Sequence, residues 1–196
     1  MTRLKKILKL ILFEIRFLLL KSSYVPKVFC VGFNKTGTTT LGKSFELLGY
    51  RNSSFNKNVW RNYYLKGRID KVLYYTSKFD SFDDLPWLKE DLIPVLDENF
   101  PGSKFVYLER NIDDWKNSIS NWTFKMKGYY PDLDSLLDEY NRHREFILTY
   151  FKNRTSDLLI LQVDDPKGFE KLSIFLDRPI IADNFSVHNK TANFNK

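Results

Sequence analysis

Residues 28–41 read VFCVGFNKTGTTTL: an apolar run, a glycine, a polar loop and a return to apolar residues. The run from Val28 to Val31 has the composition of a buried strand, and Leu41, Phe45 and Leu48 then recur at helical spacing. This order predicts a strand, a phosphate loop and a helix. The backbone N–H groups of such a loop and the N-terminus of its helix converge on one point, where they can hold an anionic group without a metal ion.

The loop can be placed in two registers. Residues 37–44, GTTTLGKS, match the Walker A pattern of enzymes that use ATP or GTP. That register starts the loop well beyond the end of the strand and leaves only a short helix after it. A loop over residues 33–37 instead gives a helix over residues 38–48, which the following glycine would end. We therefore favour the second register, in which Lys43 and Ser44 are helix surface residues.

Composition sets the outer limits. The chain has 196 residues, of which 43% are hydrophobic and 16% aromatic, which is enough for one globular domain with a substantial core. We place that domain at residues 25–196, after an N-terminal segment of residues 1–24. The net charge of +7 fits several anionic partners, but basic residues are scattered rather than set in a stripe with aromatics, which argues against nucleic acid. Cys30 is the only cysteine, so an intrachain disulfide and a cysteine-based metal site are excluded.

The N-terminal segment carries a basic amphipathic pattern. Over residues 3–21 apolar side chains fall on one face of a helix, and Lys5, Lys9 and Arg16 lie opposite. The run is short and is interrupted by charges, and no cleavage site of a signal peptide follows it. Two interpretations remain open: a helix on an anionic membrane surface, or a helix packed on the domain or a partner. We expect a cytoplasmic protein, either without membrane contact or peripheral to a membrane through this segment.

Several segments resemble one enzyme family in the right order. The loop at residues 32–41 resembles the phosphosulfate-binding loop of the sulfotransferases that use 3′-phosphoadenosine 5′-phosphosulfate (PAPS). Arg110 at a strand end, with Ser118 eight residues later, is similar to that family's segment for the cofactor's 3′-phosphate. The tail at residues 185–191 resembles a Phe-Pro-His-x-Asn ending, with Ser186 in place of the proline. The resemblance covers about residues 28–191.

The resemblance implies a function and a set of site residues. The chain would move a sulfuryl group from PAPS, as co-substrate, to a hydroxyl or amine acceptor, with no metal because Lys35 and the loop neutralise the phosphates. Lys35 would stabilise the charge that develops on the departing phosphate. The implied cofactor-binding residues are Asn34, Lys35, Thr36, Gly37, Thr38, Thr39, Thr40, Arg110, Ser118 and Lys190. The acceptor, the adenine contacts and the oligomeric state stay open.

A catalytic base is expected in residues 79–87, FDSFDDLPW, a segment that ends a short strand and enters a helix. Asp84-Leu85-Pro86 is similar to segments that carry the family's acid/base residue after a central strand, and a carboxylate there could take a proton from an attacking hydroxyl. Asp84 can equally be the N-cap of a following helix with Pro86 in its first turn. Asp80 is the second candidate for the base.

Three long apolar strands, at residues 28–31, 105–108 and 158–163, alternate with helices and predict an α/β fold with a central parallel sheet in three layers, of the nucleotide-binding P-loop type. We expect a loop or broken helix over residues 121–132, where acceptor contacts would lie, then a helix capped by Asp134. Asp164 or Asp165 should cap the last helix.

Two alternative functions stay open. One is a P-loop kinase or NTPase that uses residues 37–44 together with Asp164 as a Walker B ligand, and it requires Mg²⁺. The other is a non-catalytic, membrane-associated protein that binds a nucleotide and depends on residues 3–21.

Overall fold

The computed structural model describes residues 26–182 and Phe185. The segment of residues 3–21, Lys190 and the part of the tail resemblance after Phe185 lie outside the described residues. None of the helices within the described part is long and apolar enough to cross a membrane.

A five-stranded, wholly parallel sheet forms the centre of the fold, which confirms the predicted α/β class. The strands are β1 Val28–Cys30, β2 Asn52–Ser53, β3 Ser81–Phe82, β4 Lys104–Glu109 and β5 Leu158–Gln162. Their order across the sheet is β2-β3-β1-β4-β5, with β1 in the middle. The short strand predicted within residues 79–87 is β3. The prediction missed β2, which has only two residues, too few to show an alternating pattern.

The part of the chain that the structure describes has six α-helices, of which all but the last lie between strands: α1 Thr38–Leu47, α2 Ile69–Thr76, α3 Ile93–Asn99, α4 Ile112–Lys127, α5 Leu133–Tyr150 and α6 Gly168–Phe175. A π-helical turn at Val59–Tyr63 and a 3₁₀ turn at Tyr64–Lys66 precede α2. The start of α1 at Thr38 confirms the favoured register of the loop. At its other end Gly49 has φ +87°, the left-handed conformation expected of a residue just beyond a helix.

Three predicted helix boundaries are wrong. No helix begins at Asp84: α3 starts at Ile93, with a proline in its first turn. Residues 121–127 are not a loop, because α4 continues through them to Gly128, whose φ of +79° ends the helix. The cap of α5 is Asp132 rather than Asp134, since its side chain accepts hydrogen bonds from the N–H groups of residues 134 and 135.

The cap of α6 also differs from the prediction. Asp165 accepts a hydrogen bond from Lys167 N (2.9 Å) and an ion pair from Lys171 (2.5 Å), so it supports the turn before the helix. The residue at the cap position is Lys167, without a side-chain bond.

The core lies on both faces of the sheet. Phe29 stacks on Phe82 (5.1 Å between centroids) and on Phe105 (5.4 Å), which ties the three central strands together on one face. Cys30, one residue on, points to the other face with Leu41 and other residues of α1 and α6. Burying each such large apolar side chain is worth about 1.5–3 kcal/mol. The sheet is therefore held from both sides, and its C-terminal edge is a fixed platform for the segments that leave it.

Candidate functional site

The loop after β1 closes on itself through Thr36. Thr36 is fully buried, and its hydroxyl donates to the carbonyl oxygen of Phe33 at 2.7 Å. Lys35 has φ +69° and Gly37 has φ +113°, so the chain passes twice through the left-handed region. At Gly37 a Cβ atom would also overlap Val163 Cγ2 beside β5. The loop is thus a fixed turn that delivers the chain to the N-terminus of α1.

The Walker A letters fall on the helix rather than on a loop. Lys43 lies on the exposed side of α1 and pairs with Glu46 at 2.7 Å. Ser44 is buried, and its hydroxyl donates to Thr40 O at 2.9 Å, so the prediction that Ser44 lies at the surface is wrong. In the helix over residues 38–47, most backbone N–H groups donate hydrogen bonds to carbonyl oxygens one turn back. Only the N–H groups of the first turn are free to bind an anion.

Lys35 is half-buried, and Trp122, Arg110 and Asp84 lie near it. Its Nζ is 5.6 Å from the centre of the Trp122 ring, within the range of a cation–π contact. Burial lowers the pKa of Lys35, the nearby Arg110 charge lowers it further, and the Asp84 charge opposes both. Lys35 therefore lies in the fields of both the Arg110 cation and the Asp84 carboxylate.

Arg110 and Trp115 hold the loop in place from β4 and α4. Arg110 Nη1 donates to the carbonyl oxygen of Lys35 at 3.1 Å, and the indole N–H of Trp115 donates to the carbonyl oxygen of Asn34 at 2.9 Å. Ser118 is buried one turn further along α4. Arg110 thus lies against the loop, while Ser118 follows on the helix that begins beside it.

The four threonines of the loop differ in their surroundings. Thr36 is used up in closing the turn. Thr38 is half-buried and Thr39 is exposed in the first turn of α1, where the free N–H groups lie. Thr40 is buried, so its side chain faces inward rather than toward the open end of the helix.

Asp84 lies just beyond β3, at the same edge of the sheet as the loop. Burial raises its pKa, while its hydrogen bond from Leu85 N (2.6 Å) and the Lys35 charge oppose the rise. Asp80, the second candidate for the base, lies at the opposite edge: its carbonyl bonds Val28 N at the start of β1, and its carboxylate pairs with Arg51 at 2.9 Å. The structure therefore separates Asp80 from the loop.

Asp83 is a buried carboxylate that sequence analysis overlooked. It accepts hydrogen bonds from Asn52 Nδ2 (3.1 Å), in β2, and from Ser54 Oγ (3.3 Å), just after β2. Gly42 in α1 lies so close that a Cβ atom there would overlap Asp83 Oδ2. Asp83 thus joins β2, β3 and α1 behind Asp84. Burial raises the pKa of Asp83 to about 6, and the Asp84 charge adds to the rise, while the two hydrogen bonds oppose it.

A raised pKa at Asp83 predicts a pH-dependent stability. Between about pH 4 and 6 the folded state binds this proton more tightly than the unfolded chain does. The free energy of unfolding of the wild type, relative to Asp83→Asn, should therefore fall as the pH rises through that window, by about 1–3 kcal/mol. Urea unfolding of both proteins at several pH values between 4 and 7 measures this difference. A difference that is flat or rises from pH 4 to 6 would contradict the prediction.

His143 supports the loop from below. Its Nε2 lies 2.7 Å from the carbonyl oxygen of Val31, and since a carbonyl only accepts, Nε2 carries the hydrogen. The other ring nitrogen lies 3.4 Å from Glu90, and burial lowers the pKa of the ring.

The aromatic residues before α2 also pack on one another, with Trp60 stacked on Tyr64 at 5.1 Å.

Comparison with known proteins adds the family. A family model described as a sulfotransferase domain matches residues 27–135, more than half of the chain. The chain belongs to the sulfotransferase family. Among solved structures, this sulfotransferase-family chain is similar to a gluconokinase from Sinorhizobium meliloti 1021, with a TM-score of 0.48 and 15% sequence identity over 78% of this chain and 91% of that one. That likeness says nothing about function. No curated protein matches the chain.

The matched part of this sulfotransferase domain contains the loop, Asp84, Arg110 and Ser118. Sequence analysis missed Asp83, Trp115 and Trp122. Trp115 lies five residues after Arg110 and on the inward face of α4, and this spacing could have indicated a contact with the loop. The approach of Trp122 to Lys35 was not predicted, because it depends on the length of α4. Within residues 26–182 and at Phe185, no group of three or more His, Cys, Asp or Glu side chains could hold a metal ion.

Proposed function

We propose that this chain transfers a sulfuryl group from PAPS to a hydroxyl or amine acceptor. The observation that carries the proposal is the meeting of three segments at one sheet edge: the Lys35 loop after β1, Asp84 after β3 and Arg110 after β4. Parallel α/β sheets bind ligands outside the carboxyl ends of their strands, at the point where the order of the strands reverses. In this sheet that point lies beside β1. The sulfotransferase match over the same residues supports a transferase.

The donor would lie between the loop and α4. The free N–H groups of the first turn of α1, with Thr38 and Thr39 beside them, suit the 5′-phosphosulfate. Arg110 offers a planar pair of donors suited to the 3′-phosphate, with the Ser118 hydroxyl further along α4. Asn34, Thr36 and Gly37 would contribute to donor binding through the backbone of the turn. Thr40 is buried, so we assign its side chain a role in packing rather than in donor binding. Lys190 keeps its predicted phosphate contact as a proposal outside the described residues.

The chemistry requires a base and a charge to receive the leaving group. Asp84 would take the proton from the acceptor oxygen or nitrogen as that atom forms a bond to sulfur. The bond between sulfur and the bridging oxygen of the 5′-phosphate then breaks, and the negative charge develops on that phosphate. Lys35, already in the field of Arg110 and Asp84, would stabilise this charge in the transition state. The products are the sulfated acceptor and 3′,5′-adenosine bisphosphate.

Titration calorimetry with 3′,5′-adenosine bisphosphate tests the donor site. We expect binding without metal, and a Kd raised about ten- to a hundredfold in Arg110→Ala, because a charge-assisted hydrogen bond to a phosphate is lost. Arg110→Lys should recover only part of the affinity, since it keeps the charge but not the planar fork. Arg142→Ala, on the exposed side of α5, is the matched control and should bind as the wild type does.

A second titration separates the alternatives. Binding of ATP only with Mg²⁺, and indifferent to Arg110, would contradict the proposal and favour a kinase or NTPase. Tight bisphosphate binding without sulfation of any acceptor in a panel of carbohydrates, lipids, phenols and peptides would favour the non-catalytic alternative. Because Arg110 also bonds the loop, thermal unfolding of each variant must show that the fold is retained.

A further inference from the structure

The end of α4 and the residues after it form an exposed apolar projection. We call residues 121–130 the α4 tip. All of these residues are exposed except Thr123. The large apolar side chains and their exposed fractions are Trp122 41%, Phe124 49%, Met126 64%, Tyr129 55% and Tyr130 66%. Half of the ten residues of the tip therefore offer large apolar surface to the surroundings, which on a protein surface marks a site of interaction.

The apolar side chains lie on more than one side of the helix. Trp122 and Met126 are four residues apart and share a side, which continues the stripe of the buried Trp115 and Ile119 toward the end of the helix. Phe124 is two residues from each and so lies about 200° around the axis. Its ring stacks on Tyr130 at 4.7 Å. A protein partner would cover one face of such a helix, whereas the interface of a bilayer surrounds an inserted tip on all sides.

The charges of the tip favour an anionic surface. Lys125 and Lys127 are exposed between the apolar residues, and Lys127 Nζ lies 5.7 Å from the Tyr129 ring centre. No Asp or Glu occurs from residue 115 to residue 131. Tryptophan and tyrosine favour the level of lipid headgroups, and lysines can place their charge among phosphates while their stems stay in apolar surroundings. Exposed phenylalanine and methionine suit acyl chains better than sugars, which leaves lipid as the occupant that fits every side chain.

We propose that the α4 tip inserts into the headgroup region of an anionic phospholipid bilayer. The basic amphipathic pattern of residues 3–21 supports the same partner from the sequence alone. This proposal stands apart from sulfuryl transfer, because it concerns where the domain binds and not what it transfers. The two surfaces adjoin, since Trp122 belongs to the tip and its ring faces Lys35.

Vesicle co-sedimentation of the full chain tests the proposal, with phosphatidylcholine vesicles that contain or lack phosphatidylserine. We expect binding to the anionic vesicles. The double variant Phe124→Ser, Met126→Ser should lower the partition coefficient by about tenfold or more, because each side chain loses its transfer from water. Lys125→Gln with Lys127→Gln should weaken binding to anionic vesicles alone. Leu65→Ser with Ile174→Ser, at side chains that are 59% and 65% exposed elsewhere, is the matched control and should bind unchanged.

Fluorescence gives a readout that is specific to the tip. Trp87 and Trp115 are fully buried, and Trp60 stacks on Tyr64 before α2, so Trp122 is the one expected to meet lipid. Brominated phosphatidylcholine mixed with phosphatidylserine should quench the wild type and Trp60→Phe, but not Trp122→Phe.

Three results would overturn the proposal. The first is the absence of vesicle binding by the full chain. The second is binding that is lost in Ile7→Asp, Ile11→Asp but kept in the Phe124, Met126 variant, without quenching of Trp122, because residues 3–21 alone would then carry it. The third is tip-dependent binding of a soluble polyanion such as heparin without any binding of vesicles.

Discussion

Replacing Lys35 by methionine is expected to lower kcat for sulfuryl transfer by about 10²–10³-fold or more, because removal of a single group that stabilises transition-state charge costs that much. The half-buried position of Lys35 strengthens the field of its charge, because less water screens it. The measurement is the rate of formation of 3′,5′-adenosine bisphosphate from PAPS, with the best acceptor of a panel. The KM for PAPS, in which this charge has not yet developed, should change much less than kcat.

The chain offers a matched control in Lys43. It is the lysine of the Walker A letters, yet it lies exposed on α1 and pairs with Glu46. Lys43→Met should therefore leave kcat within about twofold of the wild type, as expected for a surface substitution. Loss of activity in Lys43→Met with retention in Lys35→Met would show that residues 37–44 bind the nucleotide, and the proposed function would fail.

Asp84→Asn is expected to lower kcat by about 10²–10⁴-fold, the usual contribution of a positioned general base. The base works only when deprotonated, so activity of the wild type should fall as the pH drops through the pKa of Asp84, which burial raises. The remaining activity of Asp84→Asn should not follow that acid limb. Measuring kcat and kcat/KM against pH for both proteins tests the two statements together.

Asp80→Asn is the control for the second carboxylate. Its ion pair with Arg51 lies at the other edge of the sheet, so the substitution should cost stability rather than kcat. The assay must therefore be run well below the melting temperature of this variant. An Asp80→Asn protein that is folded and as inactive as Asp84→Asn would count against Asp84 as the base.

Long apolar runs and the loop made much of this fold predictable. β1, β4 and β5 are each bounded by glycine, proline or charged residues, and the position of Gly49 fixed the end of α1. The start of α1 at Thr38 then followed from where the first strand ends and from the length of the helix. By contrast, β2 and β3 pair over two residues each, and their pairing is decided by the sheet around them rather than by their own pattern.

The contacts that shape the site could not be predicted in the same way. Trp115 bonds Asn34 across 81 positions of the chain, and Asp83 bonds Asn52 across 31. Such pairs depend on how α4 and β2 pack, which no local spacing reveals. The length of α4, in contrast, was predictable from local sequence. Gly128 is a signal for the end of a helix, and it marks the observed end of α4 better than the polar residues before it do.

The central position of β1 bears on how a protein of this kind diverges. On the proposed roles, donor binding belongs to the β4 side and proton removal to the β3 side, with the loop between them. Loops beside β3 can then vary without disturbing Arg110 or Ser118. On these roles, substitutions on the β3 side would change the acceptor while the donor site on the β4 side is kept.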